Sequence, residues 1–206
     1  MRRIKETELR ELAVFLMDQF FEKEEMQVMM KGFDAGQAKQ LAIDLVCHEL
    51  GYFFKYGDIF IYDEAITGAI VGIDAKNLSF WKQLPYAWKG NQVISKVGKE
   101  MLRKIKENAK VIQEVHDAKW YRRYLNEKPY YIAQFGIAKQ ARGQGIARVM
   151  LEALFERVKA TTSYVVLETL SPENVPMYEH FGFEKMEEYE TRDKQLTEYR
   201  MLRKIR

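Results

Sequence analysis

The first half of the chain alternates between helical and strand-like patterns of apolar residues. Apolar positions recur every three or four residues in two stretches, 9–20 and roughly 35–54, which predicts two amphipathic helices. A short strand is predicted before them, and two runs after them predict strands joined by a tight turn at Asp63-Glu64. These strands are predicted at 2–5, 58–62 and 65–73. The order is therefore strand, two helices and a hairpin.

A long amphipathic stretch then delays the next strand. It opens with residues typical of a loop: Trp81, Pro85, Trp88 and Gly90. An apolar stripe at helical spacing follows, formed by Ile94, Val97, Met101, Ile105, Ala109, Ile112 and Val115. This pattern predicts a helical insertion, about 85–128, between the third and fourth strands.

The second half returns to strands, arranged around one glycine-rich turn. A strand is predicted at 130–137, and the turn that follows it leads into a helix with an apolar inner face. Pro176 and Gly182 mark the start and end of a shorter helix further on. The other strands are predicted at 164–168, 184–190 and 197–202. With 206 residues, the chain is predicted to form one α/β domain that covers 1–206 and carries the insertion.

Composition narrows the class of protein. Hydrophobic residues make up 47% and charged residues 31%, which is typical of a globular protein, and the net charge of +3 does not call for a nucleic-acid partner. Charge is concentrated between Lys96 and Arg123, where nine basic residues meet four acidic ones. This run is either a solvated helix face or a basic lid over an anionic ligand.

The cysteine, the histidines and the apolar runs argue against disulfide-bonded, metal-binding and membrane proteins. Cys47 is the single cysteine, so the chain cannot form an intramolecular disulfide. His116 and His180 stand alone in the sequence, and no metal site is predicted. The apolar run at 12–17 is too short for a signal peptide or a membrane span, so we predict a cytoplasmic protein without a membrane partner.

The glycine-rich turn has the chemistry of an anion site. Gly143 and Gly145 allow a sharp backbone turn and close approach of a ligand. The helix that follows starts with unpaired N–H groups and the positive end of its dipole. Lys139, Arg142 and Arg148 add positive charge nearby. The pattern predicts a phosphate-ester site that needs no metal, although a purely structural turn remains the alternative.

The residues around the glycines narrow the class of phosphate ligand. No Gly-Lys-Ser/Thr follows, which excludes a P-loop, and Arg148 stands where a dinucleotide fingerprint needs a third small residue. The pattern Arg142-x-x-Gly145-x-Ala147 instead resembles the pyrophosphate-binding signature of the GNAT N-acetyltransferases.

A second stretch carries the same resemblance. Residues 174–183 hold the pattern Asn-x-x-x-Tyr-x-x-x-Gly-Phe, and Leu-Glu-Thr stands at 167–169, similar to the next strand and helix of the GNAT family. Within that family this stretch is most similar to puromycin N-acetyltransferase-like members. The resemblance implies an α/β GNAT fold, a mixed, largely antiparallel sheet with flanking helices.

The resemblance also assigns roles to residues. The backbone of Phe135, Gly136 and Ile137 would pair with the pantetheine arm of acetyl-CoA, and Asn174 would bond that arm. Tyr178 would protonate the departing CoA thiolate, a role open to a phenol within reach of sulfur, although Tyr178 could also be a core aromatic. The pyrophosphate would be cradled by the amides of Arg142, Gly143, Gln144, Gly145, Ile146 and Ala147.

The general base is less clearly marked. The strand at 130–137 lacks the Glu or His that many family members carry there, and it offers Ala133 and Gln134 instead. Glu168 is the nearest carboxylate by motif. It is either the base, acting directly or through a water, or a buried partner of another polar group.

These predictions combine into one functional hypothesis with three rivals. The chain is predicted to be an acyltransferase that moves an acetyl group from acetyl-CoA to an unidentified small amine by direct attack. The rivals are a non-catalytic acyl-CoA-binding or regulatory domain, an enzyme that acetylates protein N-termini or lysines, and a nucleic-acid-binding module. The predicted acyltransferase could form a homodimer.

Overall fold

The computed structural model describes residues 1–95 and 98–206, and its centre is one seven-stranded sheet. The strands are β1 Arg2–Arg3, β2 Asp58–Ile61, β3 Gly68–Asp74, β4 Tyr130–Ile137, β5 Tyr164–Thr169, β6 Glu184–Glu190 and β7 Thr197–Lys204. Their order in the sheet is β1-β2-β3-β4-β5-β7-β6. Neighbouring strands are antiparallel except β4 and β5, which are parallel. The predicted α/β fold with a mixed, largely antiparallel sheet is confirmed.

The described residues form seven α-helices, which cover both faces of the sheet. They are α1 Leu9–Phe20, α2 Glu24–Met29, α3 Ala35–Tyr56, α4 Phe80–Ser95, α5 Lys99–Val115, α6 Ile146–Val158 and α7 Val175–His180. One face packs against α1 and α3, and the other packs against α6 and α7. None of them has the length and apolar character that crossing a membrane would require.

The two faces have separate apolar cores because strand side chains alternate in direction. Leu12, Leu16 and Leu50 are fully buried on the α1/α3 face, where they pack with β2 and β3. Met150 and Leu154 of α6 are fully buried on the opposite face. Each such side chain contributes about 1.5–3 kcal/mol of burial, which fixes α1 and α6 on opposite sides of β4.

The insertion between β3 and β4 is helical, as predicted, but it starts earlier. The predicted loop around Pro85 is wrong, because α4 runs through it from Phe80. Pro85 cannot donate the hydrogen bond that a residue inside a helix normally makes, but the packing of α4 on α3 offsets this loss. The Tyr86 ring lies edge-on to Tyr52 of α3, with centroids 5.8 Å apart. Val97 of the predicted apolar stripe lies outside the described residues.

Helix α5 places its charge run in solvent. Most of its basic side chains are exposed, and Arg103 pairs with Glu107 one turn along the helix at 2.8 Å. The apolar stripe faces inward, and Asn108 anchors the helix by donating to the carbonyls of Met29 and Lys31 at 2.9 and 3.1 Å. Helix α5 therefore packs over α2 and its exposed charges form a solvated helix face.

Candidate active site

Strands β4 and β5 separate after a short paired stretch. Tyr130–Ile132 pairs with Val165–Leu167, and the pairing then stops although both strands continue. The register of β4 on β3 also shifts here, since Gly72 opposes Ile132 while Val71 opposes Gln134. This β-bulge bends β4 away from β5 and opens a slot in the middle of the sheet.

The end of β4 has one unused edge. Phe135, Gly136 and Ile137 pair with β3 on one side, but β5 no longer lies beside them on the other. Their N–H and C=O groups on that side face the slot. An extended ligand can therefore bind there as an added strand.

The glycine-rich turn closes one end of the slot. Gly143 and Gly145 have φ angles of +77° and +78°, in the left-handed region that favours glycine, and an added Cβ at either would meet no atom within 4 Å. The first bond of α6 runs from the Val149 N–H to the Gly145 carbonyl at 3.1 Å. The N–H groups of residues 146–148 thus lack intrahelical partners. They lie at the N-terminus of α6, which is the positive end of the helix dipole.

A cavity of about 620 Å³ fills the space between the β4 edge, this turn and α7. It is lined by every residue predicted to bind the cofactor except Gln144, whose amide instead donates to the Gln140 carbonyl at 3.3 Å. Residues that the sequence did not single out also line it: Gln19, Phe20, Lys23, Glu173, Met177 and Phe181. Of the described residues that line the cavity, none comes from α4 or α5.

Positive charge at the cavity comes from the glycine turn, from α6 and from the residue that precedes α2. Arg142 and Arg148 line it, and the Arg148 guanidinium lies 5.7 Å from the Phe181 ring centroid. Lys23 lines the opposite wall and forms an ion pair with Glu173. Lys139 is turned away, since it pairs with Glu22 at 2.8 Å. The cavity therefore combines free amides with two arginines, which suits a polyanionic ligand.

Tyr178 is buried on the α6/α7 face but reaches the cavity wall. Its ring packs edge-on against Phe183 with centroids 5.6 Å apart, and 6% of the residue is exposed. The residue lines the cavity beside Met177 and Phe181. Burial raises the pKa of the Tyr178 phenol, so the proton stays in place at neutral pH. The side chain is positioned to donate that proton into the cavity.

Asn174 stands at the start of α7, on the same wall. Its amide nitrogen lies 3.4 Å from the Thr169 hydroxyl at the end of β5, and the residue lines the cavity. Pro176 is in the first turn of α7 and Gly182, with φ +77°, follows its end. The sequence pattern thus places Asn174 and Tyr178 on one short helix facing the slot.

Glu168 lies on the other face of the sheet. It is the first β5 residue beyond the last β4–β5 pair, and its carboxylate accepts from Tyr131 OH at 2.5 Å and Trp120 Nε1 at 2.6 Å. Burial raises the pKa of Glu168 to about 7, against the lowering effect of these hydrogen bonds. Glu168 does not line the cofactor cavity, so Glu168 and Tyr178 flank the slot from opposite sides.

The sequence and fold comparisons place this arrangement among known proteins. A sequence-family model described as an acetyltransferase (GNAT) domain matches residues 91–204. The chain is therefore an acyltransferase. Because the match spans more than half of its length, it belongs to the GNAT family, whose members use acetyl-CoA as cosubstrate. No match is found among curated proteins.

Several solved structures share the fold over nearly the whole chain. A Corynebacterium glutamicum protein titled histone acetyltransferase HPA2 and related acetyltransferase has a TM-score of 0.68 and 15% identity, covering 98% of this chain and 94% of its own. Arylalkylamine N-acetyltransferase 2 of Aedes aegypti has a TM-score of 0.61 and 14% identity, covering 100% and 98%. Drosophila melanogaster polyamine N-acetyltransferase has a TM-score of 0.57 and 12% identity, covering 98% of this chain and 98% of its own. At these identities the likeness concerns the fold.

Proposed function

We propose that this GNAT enzyme transfers an acetyl group from acetyl-CoA directly to an amine of a small molecule. The observation that carries the proposal is the cavity between the unused β4 edge, the two positive-φ glycines and Tyr178. Its backbone groups, charge and proton donor match the three parts of an acyl-CoA: an extended arm, a pyrophosphate and a thioester.

The cofactor-binding residues act mainly through their backbone. Phe135, Gly136 and Ile137 offer a strand edge to the pantetheine arm. The amides at the start of α6 receive the pyrophosphate, helped by Arg142, and Asn174 bonds the arm from the opposite wall. Gln144 is proposed to take part through its backbone alone. Each role is compatible with an oxygen-rich, extended ligand of high negative charge.

The reaction needs one proton removed and one proton supplied. The amine nitrogen attacks the thioester carbon, the new C–N bond forms and the C–S bond breaks. Glu168 takes the proton from the attacking nitrogen, directly or through a water, and Tyr178 gives its proton to the departing sulfur. A carboxyl with a pKa of about 7 and a phenol that stays protonated divide these roles between the two faces of the slot.

The structural neighbours favour a small molecule as the acceptor. Two of the structural neighbours are, by name, enzymes of polyamines and arylalkylamines. The Leu-Glu-Thr and Asn-x-x-x-Tyr patterns extend the proposal to a relation with puromycin N-acetyltransferase-like members. We further propose that 1–206 forms one domain and that the enzyme acts in the cytoplasm.

Calorimetric titration of the purified protein with acetyl-CoA, and with NADH for comparison, tests the proposal. Acetyl-CoA should bind with one-to-one stoichiometry, and NADH should not bind. An amine screen that follows thiol release would then identify the acceptor. Folded protein that fails to bind acetyl-CoA would refute the proposed function.

A further inference from the structure

Both oxygens of the Glu168 carboxylate are held by side chains from other parts of the chain. The Tyr131 hydroxyl of β4 donates to Oε2 at 2.5 Å, and Trp120 Nε1, from the insertion between β3 and β4, donates to Oε1 at 2.6 Å. A carboxylate with a separate donor on each oxygen cannot turn about its last C–C bond without breaking a hydrogen bond. The two bonds therefore fix the plane of the carboxylate and leave a second lone pair free on each oxygen.

Trp120 is itself held in place. Its side chain is fully buried in a small apolar core that includes Val166 of β5 and Leu202 of β7. An indole ring has one N–H donor and no acceptor, so a buried tryptophan has a single hydrogen bond to make. In this protein that hydrogen bond goes to Glu168.

The turn that carries Trp120 is tied to the edge of the sheet by charge. This turn spans Trp120–Arg123. Arg123 donates to Glu187 of β6 and to Asp117, each at 2.7 Å, and the Tyr124 hydroxyl donates to Glu187 at 2.9 Å. Bonds between an arginine and carboxylates are among the stronger hydrogen bonds in proteins. The end of the insertion is thus anchored on β6, and the position of the indole N–H follows from that anchor.

The insertion takes no direct part in the cofactor cavity. Of the residues that the structure describes between Asp74 and Tyr130, none lines it. Helix α5 instead packs over α2, and most of its basic side chains are exposed. Trp120 nevertheless joins this insertion to the carboxylate that we propose as the general base.

The two donors also act on the charge of Glu168. Burial and the nearby Glu198 carboxylate raise the pKa of Glu168, which reaches about 7. Tyr131 and Trp120 oppose that rise by hydrogen bonding, and His116 opposes it by its charge. Hydrogen bonds to a carboxylate favour its ionised form, and only the ionised form can accept a proton. Loss of either donor would therefore leave a smaller fraction of Glu168 ready to act at neutral pH.

We propose that Trp120 and Tyr131 are positioning residues for acetyl transfer, and that the insertion serves to bring Trp120 to Glu168. The two side chains hold the carboxylate from behind and keep it ionised, so that its free lone pairs can receive the proton of the attacking nitrogen, directly or through a water. Neither side chain touches the reacting atoms. This inference rests on the proposed function, because it takes Glu168 as the base.

Two conservative variants test the proposal by activity. Trp120→Phe and Tyr131→Phe each keep an aromatic ring and remove one donor. With an acceptor that does not titrate above pH 6, we expect the acid limb of the kcat/KM profile to move up by about one pH unit in each variant. Acetyl-CoA affinity should change less than about twofold. Tyr130→Phe is the control, since it removes a neighbouring hydroxyl that is bonded to Asp58 at 3.3 Å, and it should leave the limb in place.

A fluorescence titration tests the same hydrogen bonds without turnover. The chain has three tryptophans, of which Trp81 and Trp88 are exposed, so a Trp81→Phe/Trp88→Phe background leaves Trp120 as the single emitter. Because a charge appears 2.6 Å from the indole nitrogen when Glu168 ionises, the emission should change with pH around a midpoint near 7. Glu168→Gln should abolish this change. Tyr131→Phe should raise the midpoint by about one pH unit.

The outcomes separate the inference from the proposed function. Unmoved acid limbs in both phenylalanine variants, in enzyme that still turns over, would overturn the inference alone. A Trp120 emission that titrates in the same way after Glu168→Gln would also overturn it. Failure of the folded wild-type protein to bind acetyl-CoA would instead contradict the proposed function, and the inference with it. Thermal unfolding of each variant checks that it is folded.

Discussion

The cofactor cavity and the Glu168 side of the slot are built in opposite ways. The cavity is made largely of backbone from a single stretch, in which β4, the glycine turn and α6 follow one another. The Glu168 side is made of side chains from separate segments, with Glu168 on β5, Tyr131 on β4 and Trp120 in the insertion. The cavity therefore depends on local backbone geometry, whereas the Glu168 side depends on contacts that only the folded chain brings together.

The largest expected effect comes from disturbing the backbone site. Gly145→Glu places a carboxylate in front of the free amides of α6 and should weaken acetyl-CoA binding at least about 100-fold, equivalent to about 2.8 kcal/mol. Gly98→Glu is the control. Gly98 also precedes a helix with a positive φ of +90° and open space around it, so the backbone strain is similar. Equal acetyl-CoA affinity in the two folded variants, measured by calorimetry, would remove the turn from the cofactor site.

Removing the proton donor should have the next largest effect. We expect Tyr178→Phe to lower kcat about 100-fold, because a general acid typically contributes a factor of 10²–10⁴, with acetyl-CoA affinity changed less than twofold. Tyr130→Phe is the control, since Tyr130 is buried on the same face but does not line the cavity. Steady-state turnover that is similar in both variants would make Tyr178 a packing residue.

A pH profile tests Glu168, with a smaller expected effect. Glu168 accepts a proton only when ionised, so with a pKa of about 7 the wild-type kcat/KM should fall roughly tenfold per pH unit below pH 7. Above that pH it should level off. The acceptor used should have a pKa well below 6, so that its own protonation does not contribute. Glu168→Gln should abolish the acid limb and lower the plateau, and a limb that persists in this variant would exclude Glu168 as the base.

The same contrast explains how much could be predicted. The sheet, most of its strands and the turn at Gly143 and Gly145 were predictable because their signals are local: alternation, helical spacing and residues that permit positive φ. The contribution of Lys23 to the cavity wall was not predictable. Lys23 lies between α1 and α2, and no periodicity of the sequence there indicates which part of the molecule its side chain will face. The tolerance of α4 for Pro85 was missed for a similar reason, because it depends on packing against Tyr52.

The surroundings of Glu168 show the limit most clearly. Trp120 and Tyr131 hold the Glu168 carboxylate from the insertion and from a neighbouring strand. No spacing in the sequence joins these three positions.

The short β4–β5 pair has a mechanical consequence. Only Tyr130–Ile132 and Val165–Leu167 join the leaf formed by β1–β4 to the leaf formed by β5–β7, while β3 and β4 are bonded along nearly their whole length. The backbone ladder of the sheet is therefore shortest at its centre, and the apolar core beneath α6 holds the two halves together there. A ligand paired along Phe135–Ile137 would lengthen that ladder, so that the bound cofactor itself would complete the middle of the sheet.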